Sequence, residues 1–151
     1  MRATMAEEAS AVFTLEAVNE LVPRLRALMG AQMDRRLDIE RRLEQLADLI
    51  GRAPETIQVD EIDPPDVRTL KRVLLDRIDA YRDAWGEIEA MGAVLKDPRT
   101  GLVDFYGRVD GKLVWLCWKY GEDAVSHYHA LDEGFVARKA IEPTMRRRHL
   151  N

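Results

Sequence analysis

Two long stretches of this chain carry apolar residues at alternating three- and four-residue steps, the spacing of a coiled-coil seam. The first stretch covers residues 13–50 and the second covers residues 65–91. Thr14 can cap the first helix and Gly51 can end it, while Pro65 suits the first turn of the second helix. We therefore predict two long helices that pack antiparallel as a hairpin.

The apolar pattern changes to alternation after residue 92, which is typical of strands. It predicts three strands, over residues 93–96, 101–109 and 112–120. The pair Asp110-Gly111 between the second and third of them is a strong signal for a two-residue hairpin turn. Such a turn sets the register, and three opposite pairs follow from it: Tyr106 with Trp115, Phe105 with Leu116, and Asp104 with Cys117.

These elements predict an α+β fold, in which a long antiparallel helical hairpin packs on a small antiparallel β-meander. A length of 151 residues fits a single domain, and the 33% of charged residues favours long solvated helices over a bulky core. The predicted organisation has four parts: a flexible tail over 1–12, the hairpin over 13–92, the meander with a C-terminal segment over 93–141, and a basic tail over 142–151.

Charge and cysteine content exclude some classes of protein. A net charge of −4 gives no general attraction to nucleic acid or to anionic membrane surfaces. No stretch approaches the roughly 20 apolar residues of a membrane span, and the first residues lack the apolar run of a signal peptide. A single cysteine rules out an intramolecular disulfide, so we expect a cytoplasmic protein.

The two faces of the predicted hairpin differ in character. One face is wholly apolar and is expected to pack on the helices. The other, which we name the mixed face, combines aromatic and charged side chains: Asp104, Tyr106, Arg108, Trp115 and Cys117. Large aromatics beside charges are typical of a covered surface, so we predict that this face binds a partner subunit, another protein or a ligand. A homo-oligomer, most simply a dimer, is the expected state.

Three blocks of sequence resemble a bacterial family catalogued only as a domain of unknown function. They are FTLEAVNELVPRL, VLKDPRTGLVDFYGRVDGKLVWLCWKYGE and YHALDEGFVARKAI, and they cover residues 13–25 and about 94–141. The resemblance implies no activity and gives no residue a role. Its pattern has Trp in place of Tyr128, omits His127, and includes five residues present here: His129, Asp132, Gly134, Phe135 and Arg138.

The segment SHYHALDEGF contains a candidate metal site. On a strand, His127 and His129 would point to the same side and could bind one ion together. Asp132 and Glu133 follow directly, and two imidazoles with a carboxylate would suit Zn or non-haem Fe. No further metal signature accompanies the spacing, so we expect no cofactor, and a bound Zn or Fe ion is the alternative.

The same segment also has a purely structural interpretation. His129 would then hydrogen-bond Asp132 or a backbone carbonyl at a turn closed by Gly134, and Phe135 would insert into the helical core ahead of Arg138. Two functions remain open at this point. We favour a non-enzymatic oligomeric interaction or structural module, and the alternative is a small metal-binding protein or metal-dependent enzyme.

Overall fold

A computed structural model of the protein describes residues 11–142, and the predictions for the two tails fall almost wholly outside that range. The described residues form two helices, five strands and one short 3-10 turn. In chain order these elements are α1 (Leu15–Ile50), α2 (Pro65–Ala90), β1 (Val94–Asp97), β2 (Leu102–Val109), β3 (Lys112–Lys119), β4 (His127–His129), the 3-10 turn (Phe135–Ala137) and β5 (Lys139–Ala140). The predicted α+β class is confirmed.

The ends of the helices follow from local chemistry. The Thr14 hydroxyl oxygen accepts a hydrogen bond from the backbone N–H of Ala17 at 3.0 Å and so caps α1, as predicted. Gly51 ends α1 with a φ of 80°, a conformation that costs glycine little. Pro65 is the first residue of α2, where its missing N–H removes no helical hydrogen bond. None of the helices in the described residues is both long and apolar enough to cross a membrane.

The chain divides into two compact units, and the division falls inside both helices. Of the described residues, the sheet unit comprises 11–29 and 88–142, and the hairpin unit comprises 30–87.

In the hairpin unit, α1 and α2 pack against each other around a small apolar cluster of Leu46, Val67 and Leu74. Gln32 interrupts the apolar seam of α1, yet it is only 1% exposed. Its side-chain amide donates a hydrogen bond to the Tyr81 carbonyl on α2 at 2.9 Å, which satisfies the buried polar group.

In the sheet unit, the five strands form an antiparallel meander in the order β1-β2-β3-β4-β5. The predicted register of β2 and β3 is confirmed, since Tyr106 pairs with Trp115 and Asp104 pairs with Cys117. The turn between them is Asp110-Gly111, where φ is positive at both residues, 53° and 77°. Two positive φ values match the right-handed twist of the flanking strands.

The apolar face of the sheet packs against the N-terminal part of the chain. The Phe13 ring meets Phe105 edge-on, with ring centroids 5.3 Å apart. Gly92 runs so close to Phe13 that an added Cβ would lie 2.5 Å from the ring. On α1, Asn19 accepts a hydrogen bond from the backbone N–H of Val125 at 2.7 Å. These contacts hold the start of α1 and the chain before β4 on one side of the sheet.

Candidate functional site

The mixed face gains two residues from β4. Because β4 pairs antiparallel with β3, Cys117 lies opposite His127 and Trp115 lies opposite His129. Opposite residues of paired strands project to the same side of a sheet. Both histidines therefore project to one side, as the strand interpretation predicts, and it is the side that already carries Asp104.

Three of these side chains form a buried cluster with donor atoms from three neighbouring strands. The exposed fractions are 1% for Asp104, 0% for Cys117 and 3% for His129. One ligand-type atom from each residue lies within 4.8 Å of the other two. A carboxylate, a thiolate and an imidazole are all ligands that zinc takes in proteins. The cluster, which we name the Asp-Cys-His cluster, thus has donor types that could hold a metal.

The two ring nitrogens of His129 have different partners. Nδ1 lies 3.0 Å from the Ala130 carbonyl oxygen, which can only accept, so Nδ1 carries a hydrogen. Nε2 lies 3.0 Å from Oδ2 of Asp104. A hydrogen bond between Nε2 and this carboxyl group needs one proton, carried either by the ring or by Asp104. The pair thus holds one proton between two buried side chains.

Burial determines the ionisation of the acidic groups in the cluster. It raises the pKa of Asp104, although the charge of His129 and the neighbouring Cys117 thiol act against the rise. Burial, followed by the charge of Asp104, raises the pKa of Cys117 to about 12. At neutral pH Cys117 is therefore a thiol, and a thiol is a poor nucleophile.

A hydrogen-bonded pair of Glu122 and Arg138 adjoins the cluster. The guanidinium donates to the two carboxylate oxygens at 3.1 and 2.8 Å, and Nη1 also lies 3.8 Å from the sulfur of Cys117. Burial alone would raise the pKa of Glu122, but the hydrogen bonds from Arg138 and from the Lys119 backbone outweigh it, and the pKa lies below its ordinary value. The C-terminal segment is thereby tied to the loop after β3.

Phe135 also belongs to this side of the sheet. Its ring lies under Arg138, with 4.1 Å between the guanidinium carbon and the ring centroid, and Lys119 lies 5.2 Å from the same centroid. The prediction that Phe135 enters the helical core is therefore wrong. The aromatic ring instead contacts the cationic groups of Arg138 and Lys119 at the mixed face, where cation–π attraction is favourable.

The predicted partner surface of the mixed face is largely covered by the chain itself. Trp115 is 6% exposed. It stacks on Tyr106 at 4.2 Å, lies beneath the Lys96 ammonium at 4.1 Å, and donates its indole N–H to the Leu131 carbonyl at 3.4 Å. Arg108 is exposed and Tyr106 is half-buried. A partner surface on this face stays a prediction, and it would have to use these two residues at the rim.

The predicted metal ligands are not brought together as a set. His127 is half-buried and its Nδ1 lies 2.9 Å from the Ser126 hydroxyl. Asp132 is exposed, and Glu133 accepts a hydrogen bond at 3.1 Å from a backbone N–H three residues earlier. Of the four, His129 alone belongs to the Asp-Cys-His cluster. Glu122 was not among the predicted site residues. The one sequence feature that could have indicated it is its position in the block LCWKYGE.

The described residues thus define an α+β protein with a helical hairpin, a five-stranded meander and a buried Asp-Cys-His cluster. A family model described as an uncharacterized conserved protein, DUF2203, matches residues 11–141, so the chain belongs to this family. No curated protein and no solved structure matches the chain. The predicted resemblance to a domain of unknown function is confirmed, and the family brings no activity with it.

Proposed function

We propose that the protein is a non-enzymatic structural module that associates with a second copy of itself through its hairpin unit. The observation that carries the proposal is the incomplete burial of this unit. Among the hydrophobic residues of 30–87, all of which are described, Leu46, Val67 and Leu74 are the buried ones. Two helices by themselves cover only one side of each apolar stripe, and bundles of four helices cover both.

The uncovered part of the stripes forms a groove between the two helices. We name it the hairpin groove, and its apolar residues are Ile39 and Leu43 on α1 with Ile78 and Trp85 on α2. All four are half-buried. Trp85 meets Tyr81 edge-on at 5.5 Å, so the groove offers a rigid aromatic anchor of the kind that carries binding energy at interfaces.

The charges around the hairpin groove suit a second copy of the same surface. Arg36, Glu40 and Arg82 also line it, and Arg36 and Glu40 form an ion pair at 3.0 Å. In a two-fold interface the same patch meets itself, so the patch must carry both signs of charge to be complementary. A purely basic or purely acidic rim would repel its own copy.

The chemistry of the Asp-Cys-His cluster supports the non-enzymatic part of the proposal. The Cys117 thiol is protonated at neutral pH and buried, and the two nitrogens of His129 face Ala130 and Asp104 rather than the sulfur. A cysteine nucleophile needs a base within hydrogen-bond reach and access to substrate. The Asp104 carboxyl neighbours the thiol, but the second condition fails, because the Cys117 side chain is fully buried and has no access to a substrate.

Sedimentation velocity of matched variants tests the proposal. The wild type is expected to be a dimer at micromolar concentration, and Leu43→Glu is expected to weaken dimerisation by on the order of 100-fold, because it places an unpaired charge in the interface. Leu37→Glu is the control, since Leu37 is a leucine of α1 that is 49% exposed and does not line the groove. Circular dichroism checks that both variants fold.

Two outcomes would overturn the proposal. The first is a monomeric wild type at high micromolar concentration. The second is a dimer that survives Leu43→Glu but dissociates with Arg108→Glu, which would move the interface to the rim of the mixed face.

A further inference from the structure

We infer that the Asp-Cys-His cluster is a binding site for one divalent transition metal ion, with Zn²⁺ the ion that its donors suit best. The inference goes beyond the proposed self-association and is independent of it, because Asp104, Cys117 and His129 all belong to the sheet unit. It also differs from the predicted site around His127, with which it shares one histidine.

The first argument is the orientation of His129. With Nδ1 donating to the Ala130 carbonyl, the neutral ring presents the lone pair of Nε2 to the Asp104 carboxylate, 3.0 Å away. Two acceptors at that distance require a cation between or beside them, either a proton or a metal ion. Histidine ligands of metals are typically held in this way, with the second ring nitrogen donating to a backbone carbonyl.

The second argument is an acceptor without a partner. Oδ1 of Asp104 is buried and has no hydrogen-bond partner among the described residues. A buried carboxylate oxygen without a partner is costly, and such groups in folded proteins call for an ion or a water molecule. A metal ion bound by Oδ1 would supply the missing partner, while Oδ2 of the same carboxylate lies beside His129.

The geometry needs little change to bind zinc. Zinc lies about 2.0–2.3 Å from nitrogen, oxygen and sulfur ligands, so tetrahedral ligand atoms are roughly 3.5 Å apart. The donor atoms of the cluster already lie within 4.8 Å of one another, so shifts on the order of 1 Å suffice. Three protein ligands leave a fourth position for water. Arg138, 3.8 Å from the sulfur and neutralised by Glu122, can donate to a metal-bound thiolate.

The exchange of protons for metal keeps the buried charge constant. Without metal the cluster holds the thiol proton of Cys117 and the proton shared by His129 and Asp104, and its net charge is zero. Binding of Zn²⁺ forms bonds to sulfur, nitrogen and oxygen and releases both protons to solvent. The products are a thiolate, a neutral imidazole and a carboxylate around a double positive charge, and their sum is again zero. No oxidant or reductant takes part.

Titration of the full-length untagged protein with Co²⁺ tests the inference. After dialysis against chelator, one Co²⁺ per chain is expected to bind and to give a sulfur-to-cobalt charge-transfer band, which Zn²⁺ then abolishes by displacement. The band requires a cysteine ligand, and Cys117 is the single cysteine. A folded wild type that gives no such band with excess Co²⁺ overturns the inference without any variant.

Variants identify the ligands. His129→Gln is expected to abolish stoichiometric Co²⁺ binding, and Arg138→Lys to weaken it by about 10–100-fold, as is usual for residues that support metal ligands. His127→Gln and Asp132→Asn are the controls, and both should bind Co²⁺ like the wild type. Loss of the metal in these controls, with binding retained in His129→Gln, would assign the ion to another site and refute the inference. None of these readouts depends on the oligomeric state.

Discussion

Nε2 of His129 lies 3.0 Å from Oδ2 of Asp104, although the two residues are 25 positions apart in the chain and belong to strands separated by β3. Both side chains are almost completely buried. The contact joins β4 to β2 across the central strand β3. Removal of one member of a buried polar pair destabilises the folded protein, because the other member stays buried without its hydrogen bond.

His129→Ala is expected to lower the free energy of unfolding by about 1–3 kcal/mol, because Asp104 loses its hydrogen-bond partner in the interior. The measurement is urea unfolding of metal-free protein. His127→Ala is the control and should change the value by less than about 0.5 kcal/mol, since the His127 side chain is half-buried and its ring contacts the hydroxyl of the neighbouring Ser126. Equal losses in the two variants would contradict the role assigned to the buried pair.

The replacement of Asp104 offers a second measurement of the same pair. Asn at position 104 can donate its amide to Nε2 of His129, whereas Ala cannot. Asp104→Asn should therefore be less destabilising than Asp104→Ala in urea unfolding, by about 1 kcal/mol. A larger loss for the Asn variant would mean that the negative charge itself, rather than the hydrogen bond, holds His129.

Much of the fold could be predicted because its signals are local. The change of apolar spacing after residue 92 marks the boundary between helices and strands, and Asp110-Gly111 determines the register of β2 and β3. The pairing of Asp104 with Cys117 followed directly from that turn. A two-residue turn leaves no freedom in the register, so the sequence alone predicts which residues of β2 and β3 lie opposite each other.

The site could not be assembled from the sequence because its contacts depend on longer connections. The chain between β3 and β4 covers residues 120–126, and no turn rule determines which residue of β3 faces His129 after such a loop. The pairing of Arg138 with Glu122 spans 16 positions and is likewise not local. The donors Asp104 and Cys117 were identified on the mixed face, but they could not be connected with His129.

The pair of Glu122 and Arg138 predicts a pH dependence. The pKa of Glu122 is lowered from its ordinary value of 4.5, so its ionised form is stabilised in the folded protein. A lowered pKa contributes stability above the unfolded-state pKa, and the contribution disappears as pH falls through the folded-state value. The free energy of unfolding of the wild type should exceed that of Glu122→Gln by about 1 kcal/mol or less at pH 7, because the pair is partly exposed and solvent screens it, and the difference should vanish in acid well below pH 4.5. Calorimetry across this range provides the measurement. A difference that persists at low pH would mean that shape or packing, not charge, is responsible.

Two glycines should respond to alanine in opposite directions. Gly92 has a φ of 97°, and a Cβ there would lie 2.5 Å from the Phe13 ring, so Gly92→Ala should destabilise the protein by about 1–3 kcal/mol. Gly86 lies inside α2 with no atom within 4 Å of an added Cβ, so Gly86→Ala should stabilise it by about 0.5–1 kcal/mol. Urea unfolding of both variants measures the signs. The same sign in both would contradict the geometry described for one of the two positions.

The Cys117 thiol should be unreactive in the folded protein. Its side chain is fully buried, and burial together with the charge of Asp104 raises its pKa to about 12, so hardly any thiolate exists at pH 8. Metal-free native protein is therefore expected to react with a thiol-specific reagent such as iodoacetamide at least about 100-fold more slowly than the same chain in urea, where the unperturbed pKa near 8.5 returns. The rate in the native state should scale with the equilibrium population of opened molecules, because only an opened molecule exposes the sulfur and reclosing is faster than alkylation. His129→Ala, which removes the buried contact between β4 and Asp104, should raise the native rate, and His127→Ala should leave it unchanged. Rapid stoichiometric labelling of the folded wild type would show instead that the sulfur is accessible and ionised, and it would contradict the conclusion that Cys117 is not a nucleophile.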